Sequence, residues 1–135
     1  MGDRLTLSNA LLAPFLPTVP VPTGSLIAFD GVSMNYRFDI FAIYERPFGA
    51  RAVYVFARWT TQGYLPLYIG KAENLRERLG DHERLTEAME RGATHLLVHI
   101  PRTIDPIRYD EAERRLIRHF TPPLNTQHNP LWGGW

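Results

Sequence analysis

Two β-rich runs joined by a turn restrict this chain more than any other feature. Residues 51–58 (Arg-Ala-Val-Tyr-Val-Phe-Ala-Arg) are dense in β-branched and aromatic side chains, and so are residues 64–69 (Tyr-Leu-Pro-Leu-Tyr-Ile). Thr60-Thr61-Gln62-Gly63 between them has turn chemistry, so the pair predicts an antiparallel hairpin. Pro66 has no amide to donate, which puts the second strand at a sheet edge or on a bulge. Gly70 ends that strand, and a helix is expected from Glu73 or Asn74, with Leu75 and Leu79 on one face.

The remaining elements follow from the same signals. Gly80 weakens the helix, and the helical pattern resumes from His82 to Met89 until Arg91-Gly92 closes it. Arg78 and His82, four residues apart, are read as sharing a helical face. Residues 94–100 read as a third strand. Asp110 is the expected N-cap of a last helix that carries Ala112, Leu116 and Phe120 on one stripe and stops at Pro122-Pro123. Upstream, Asp30-Gly31 is a turn, and Tyr36, Phe38 and Ile40 alternate with Arg37, Asp39 and Phe41 as in a half-buried strand. Pro14, Pro17, Pro20 and Pro22 make residues 1–24 an extended arm that packs on its own domain or on a second copy. The tail, with Trp132 and Trp135, reads as a strap that packs. The expected fold is α/β: a small, mainly antiparallel sheet of three or more strands flanked by helices. Its core is expected at residues 51–127, with an arm and an extra strand over 1–50 and a tail over 128–135.

Composition narrows the chemistry. A chain of 135 residues with 44% hydrophobic content has the makings of one folded domain. The absence of cysteine excludes disulfides, iron–sulfur clusters, thiolate metal sites and cysteine nucleophiles. Of the 15 basic residues, Lys71 is the only lysine, and the net charge is +1, so whole-chain charge does not announce nucleic acid. The apolar stretch at residues 10–21 is cut by Pro14, Pro17 and Pro20, which argues against a membrane span or signal peptide. A soluble, cytoplasmic protein is the expectation.

Polar residues gather where the hairpin meets the first helix. Val53-Tyr54 and Tyr68-Ile69-Gly70-Lys71, then Asn74-Leu75 and Arg78-Leu79, resemble the signature of the GIY-YIG nuclease family. There, two hairpin strands carry the two named tyrosines, and an arginine lies ten residues past the second, as Arg78 lies past Tyr68. Glu113 resembles the family's metal-binding glutamate, and Pro122-Pro123-Leu124-Asn125 its Pro-x-x-Asn helix end. His82 falls where many members place histidine or tyrosine. The likeness spans residues 51 to about 127. Ala52 stands where the family has glycine, and it would be strained if that backbone needed positive φ. The spacing of 14 residues between the tyrosines is longer than common in the family, and the surplus is assigned to the Thr60–Gly63 turn.

The resemblance implies a metal-dependent endonuclease that hydrolyses phosphodiester bonds in DNA, with RNA left open. The implied catalytic set is Tyr54, Tyr68, Lys71, Arg78, His82, Glu113 and Asn125, with Glu113 holding Mg²⁺ or Mn²⁺. Residue chemistry agrees. Glu113 is a hard oxygen donor suited to magnesium. Arg78 can grip phosphate in a fork. A tyrosine could pass a proton if a cation lowered its pKa, and Lys71 is the expected cation. Singly, each residue has an ordinary reading: strand tyrosines pack, and Arg78 and Glu113 join surface charge lattices. His95, His99, His119 and His128 are assigned structural or exposed roles. A catalytically weak nucleic-acid-binding module on the same fold is the alternative function, and a homodimer through the arm is left as an option.

Overall fold

The computed structural model describes residues 19–132. The arm upstream of residue 19 and Trp135 therefore lie outside the described residues. Five strands form one sheet: β1 (Gly24–Phe29), β2 (Asn35–Ala42), β3 (Ala52–Thr60), β4 (Gly63–Ala72) and β5 (His95–His99). Their order is β1-β2-β5-β3-β4, and every pairing is antiparallel. Helices α1 (Leu75–Gly80), α2 (Glu83–Glu90) and α3 (Tyr109–Phe120) flank the sheet, and a 3-10 turn covers Pro130–Trp132. The class is mixed α/β as expected. Residues 24–42 contribute two strands instead of one, and β2 bonds directly to β5. Among the described residues no helix is long and apolar enough to cross a membrane.

Both faces of β3, an interior strand, are covered, which is why Ala52 to Ala57 are all buried. One face stacks Tyr54, Phe56 and Phe41 against Leu75 and Leu79 of α1 and Leu85 and Ala88 of α2. The other stacks Val53, Val55 and Ile69 against Ala112, Leu116 and Ile117 of α3. The period of two in β3 thus sends Tyr54 toward α1 and α2 and Val53 toward α3.

The hairpin forms as expected, with corrections. The strands are longer than the apolar runs, so the turn is tight around Thr61-Gln62 and Gly63 takes φ +118°. The surplus between the two tyrosines therefore lies in strand, not in the turn. Pro66 meets both of its constraints: β4 is an edge strand, and the register shifts so that Phe56 faces Tyr68 while Ala57 faces Pro66. β4 also runs through Gly70 and Lys71 to Ala72, where the sequence predicts its end at Gly70.

Three further expectations are corrected. Gly80 does not merely kink a helix; it ends α1, and α2 starts anew with His82 as its N-cap. Helix α3 opens two residues earlier than expected, with Arg108 at the cap position and Asp110 inside the first turn. Trp132 is 60% exposed and is not a packed strap. Ala52 sits buried in β3 and is not among the residues with positive φ, so alanine meets no strain there.

Candidate active site

Tyr54 lies opposite Gly70, and Tyr68 is two residues along the partner strand, so the two phenols meet on a diagonal with ring centroids 6.3 Å apart. Gly70 is what allows this. A Cβ on Gly70 would stand 2.5 Å from the Tyr54 hydroxyl and 2.6 Å from its Cζ. The Tyr54 phenol thus rests on bare backbone, and Tyr54 is only 1% exposed.

His82 closes over both rings. Its Nε2 is 2.6 Å from the Tyr54 hydroxyl, and its ring meets Tyr54, Phe56 and Tyr68 edge-on. The first helix ends at Asp81, and His82 stands in extended backbone, where its Nδ1 accepts the Arg84 amide N–H at 3.2 Å. The imidazole is therefore a helix cap as well as a neighbour of the phenols. Burial, reinforced by the Arg78 and Arg84 charges, lowers its pKa to about 4. A neutral ring with Nδ1 accepting carries its proton on Nε2. Arg78 and His82 belong to different helices, so they do not share one helical face; the Gly80–Asp81 break separates them.

Arg78 is half-buried, and its Nη1 donates to the Asp81 carbonyl at 2.6 Å. Burial raises both tyrosine pKa values, and the Arg78 charge counters it at each. Arg84 adds to that effect at Tyr68. The cations facing the phenols are thus Arg78 and Arg84, and the expected role of Lys71 there is corrected. Because β4 continues as strand, Lys71 points to the opposite face from Gly70. It lies 5.9 Å from the Tyr109 ring centroid and acts instead on Glu113.

Around the β4 edge, Tyr68, Glu83, Arg84, Glu113, Asn125 and His128 line a cleft of about 220 Å³. Glu113 rides α3 half-buried and has no hydrogen-bond or ion-pair partner among the described residues. Its neighbour Glu111 bonds both Arg114 and Arg115, and Asp110 bonds Arg108. Burial raises the Glu113 pKa, while Lys71 and Arg114 pull it down. Glu113 in turn raises that of Tyr68, which places carboxylate and phenol in one electrostatic unit.

Asn125 is present but not free. It is 6% exposed, its Oδ1 accepts the Ile69 N–H at 2.8 Å, and its Nδ2 donates to the Ile69 carbonyl at 2.7 Å. Its amide therefore holds the backbone between Tyr68 and Gly70 and has little left for a reaction. Asn129, wholly buried, secures this loop by donating to the Pro122 and Asn125 carbonyls.

The structure thus brings Tyr54, Tyr68, Arg78, His82 and Glu113 around one edge, puts Lys71 on its far side and makes Asn125 a clamp. Arg84 and His128 were missed by sequence reasoning. The signal for Arg84 was the Gly80-Asp81-His82 break, since a helix restart at His82 points the Arg84 amide back at the ring. His128 carried none; its φ of +60° and buried, unpartnered Nδ1 appear only in the folded loop. Comparison of the chain with protein-family models, curated proteins and solved structures finds no match.

Proposed function

We propose that this chain is a metal-dependent endonuclease of the GIY-YIG kind that hydrolyses phosphodiester bonds in DNA. The observation that carries the reading is Glu113: a half-buried carboxylate without a partner among the described residues, in a cleft with Tyr68 and Arg84, while its neighbours on α3, Asp110 and Glu111, are both paired. Keeping a carboxylate desolvated and unpaired costs stability, and such groups concentrate at functional sites.

The donor set fits one hard divalent cation. Among the described residues no three His, Asp or Glu side chains form a group that could cage a metal. Magnesium does not need one, because it keeps several waters and binds through one or two carboxylates plus substrate phosphate. Glu113 would hold it, and the ion would supply Lewis acidity to the phosphate and a more acidic water. The chain's own groups do the rest. The arginines Arg78 and Arg84 present positive charge on the phenol side of the edge, and Lys71 and Arg114 do so on the Glu113 side. Such preorganised charge favours an anionic phosphoryl group as it gains negative charge in the transition state. Ala52, the one residue that favoured a binding module without catalysis, fits β3 without strain and so no longer argues for it.

The test uses the full chain with supercoiled, linear and branched DNA, in Mg²⁺ and in EDTA. Magnesium-dependent strand cleavage, lost in Glu113→Gln, is expected. Equal cleavage by the Glu113→Gln protein, or none by the wild type on any substrate, would reject the reading.

A further inference from the structure

We propose that Tyr54 is a positioning residue, and that Tyr68 is the tyrosine that meets substrate, donating its O–H into the cleft beside Glu113. The proposal rests on the nuclease reading and assigns the two motif tyrosines different tasks.

Hydrogen-bond direction carries the argument. The Arg84 N–H occupies the lone pair of His82 Nδ1, so the neutral ring has its proton on Nε2. That N–H meets the Tyr54 hydroxyl at 2.6 Å and can only donate. Tyr54 oxygen is then an acceptor already engaged, with one proton to give. Its phenolic neighbour is Tyr68, with ring centroids 6.3 Å apart. The chain therefore runs one way, from the Arg84 amide through His82 to Tyr54.

Access decides the rest. Tyr54 is 1% exposed and roofed by Gly70 and His82, so a phosphate cannot reach it without local opening. His82 cannot accept the Tyr54 proton through Nε2, because that nitrogen already bears one, and its other nitrogen is spent on the helix cap. Tyr54 is thus poorly built to be a base. Tyr68 is half-buried and lines the cleft with Glu113 and Arg84. Its hydroxyl is held by no hydrogen bond to another described residue, so its proton is free to turn into the cleft. A donor there can bond a non-bridging phosphoryl oxygen as its charge grows, with no proton leaving the phenol.

Two measurements test this, one of them independent of cleavage. Long-range ¹H–¹⁵N spectra of the wild type at pH 7 should show His82 neutral and protonated on Nε2. Tyr54→Phe should shift the Nε2–H resonance while keeping the tautomer. An Nδ1-protonated ring or an imidazolium overturns the proposal. In protein labelled at the tyrosine Cζ carbons, inorganic phosphate should perturb Tyr68 and leave Tyr54 in place; the reverse also overturns it. Kinetically, Tyr68→Phe should lower kcat about 100-fold with KM little changed, and 3-fluorotyrosine at 68 should move only the alkaline limb of the pH profile. A shifted acid limb, or a larger kcat loss in Tyr54→Phe than in Tyr68→Phe, would make one of them a base and defeat the assignment. If the wild type cuts no DNA but the spectra behave as stated, the nuclease reading fails and the hydrogen-bond direction stands.

Discussion

The Tyr54 hydroxyl sits over the Cα of Gly70, so close that a methyl group there would stand 2.5 Å from it. Cross-strand register creates this fit, since Tyr54 and Gly70 are direct partners in the β3–β4 ladder. Gly70→Ala should therefore push the phenol off its seat, break its bond with His82 and destabilise the fold by about 1–3 kcal/mol, as overpacking does. Urea unfolding measures it, and Tyr54→Phe, which keeps the ring, should not relieve the clash. An unaltered midpoint in Gly70→Ala would show that the seat is looser than this.

Glu113→Gln keeps shape and removes the charge. Cleavage should disappear, while binding of DNA is retained or tightened because a carboxylate no longer repels phosphate. Calorimetric titration with Mg²⁺ alone should lose its signal in the same variant. Full magnesium binding by Glu113→Gln would move the metal elsewhere.

For Arg78→Ala, transition-state stabilisation should fall by roughly 3 kcal/mol, seen in kcat/KM. Arg78→Lys should rescue little, because a point charge does not replace a fork that also bonds the Asp81 carbonyl. Near-complete rescue by lysine would reduce Arg78 to a surface charge.

His82 predicts a pH dependence with a definite sign. Its folded pKa of about 4 lies below the unfolded value of 6.5, so between them the unfolded chain binds the extra proton. Stability from a neutral His82 is complete above about pH 6.5 and declines as pH falls toward 4, by up to about 1.4 kcal/mol per pH unit. His82→Asn, which can still cap α2, should flatten that slope. An unchanged slope in urea midpoints from pH 7 to 4 would assign the effect to other groups.

Asn125→Leu deletes the amide that engages both backbone groups of Ile69. A cost of about 1–3 kcal/mol for each buried group left unpaired is expected. Amide hydrogen exchange at Ile69 should accelerate before that of Val55, which β5 also supports. Protection equal to wild type at Ile69 would show that the clamp is dispensable.

The legibility of this chain follows the range of its interactions. Hairpin, helices and β5 were readable because alternation and four-residue spacing are local. β1 was not, since Ile27 and Phe29 are exposed and its pattern does not distinguish two faces. The candidate site was legible as a residue list but not as roles. Lys71 changed sides because two more residues of strand reset the alternation. Arg78 and His82 parted because Gly80 was read as a weakness, not as an end. The work of Asn125 could not be foreseen, since its partners are backbone atoms of Ile69, 56 residues away.

Asn125 also has a bearing on self-association. β4 is an edge strand, and an open row of peptide groups invites a neighbouring molecule to add itself. The loop after α3 stoppers the middle of that row: Leu124 N–H takes the Leu67 carbonyl and the Asn125 amide takes both groups of Ile69. Loosening the loop would release a sticky border in the same event that disturbs the cleft. Precipitation and inactivity would then arrive together in Asn125 variants, and one side-chain amide answers to both colloidal behaviour and chemistry.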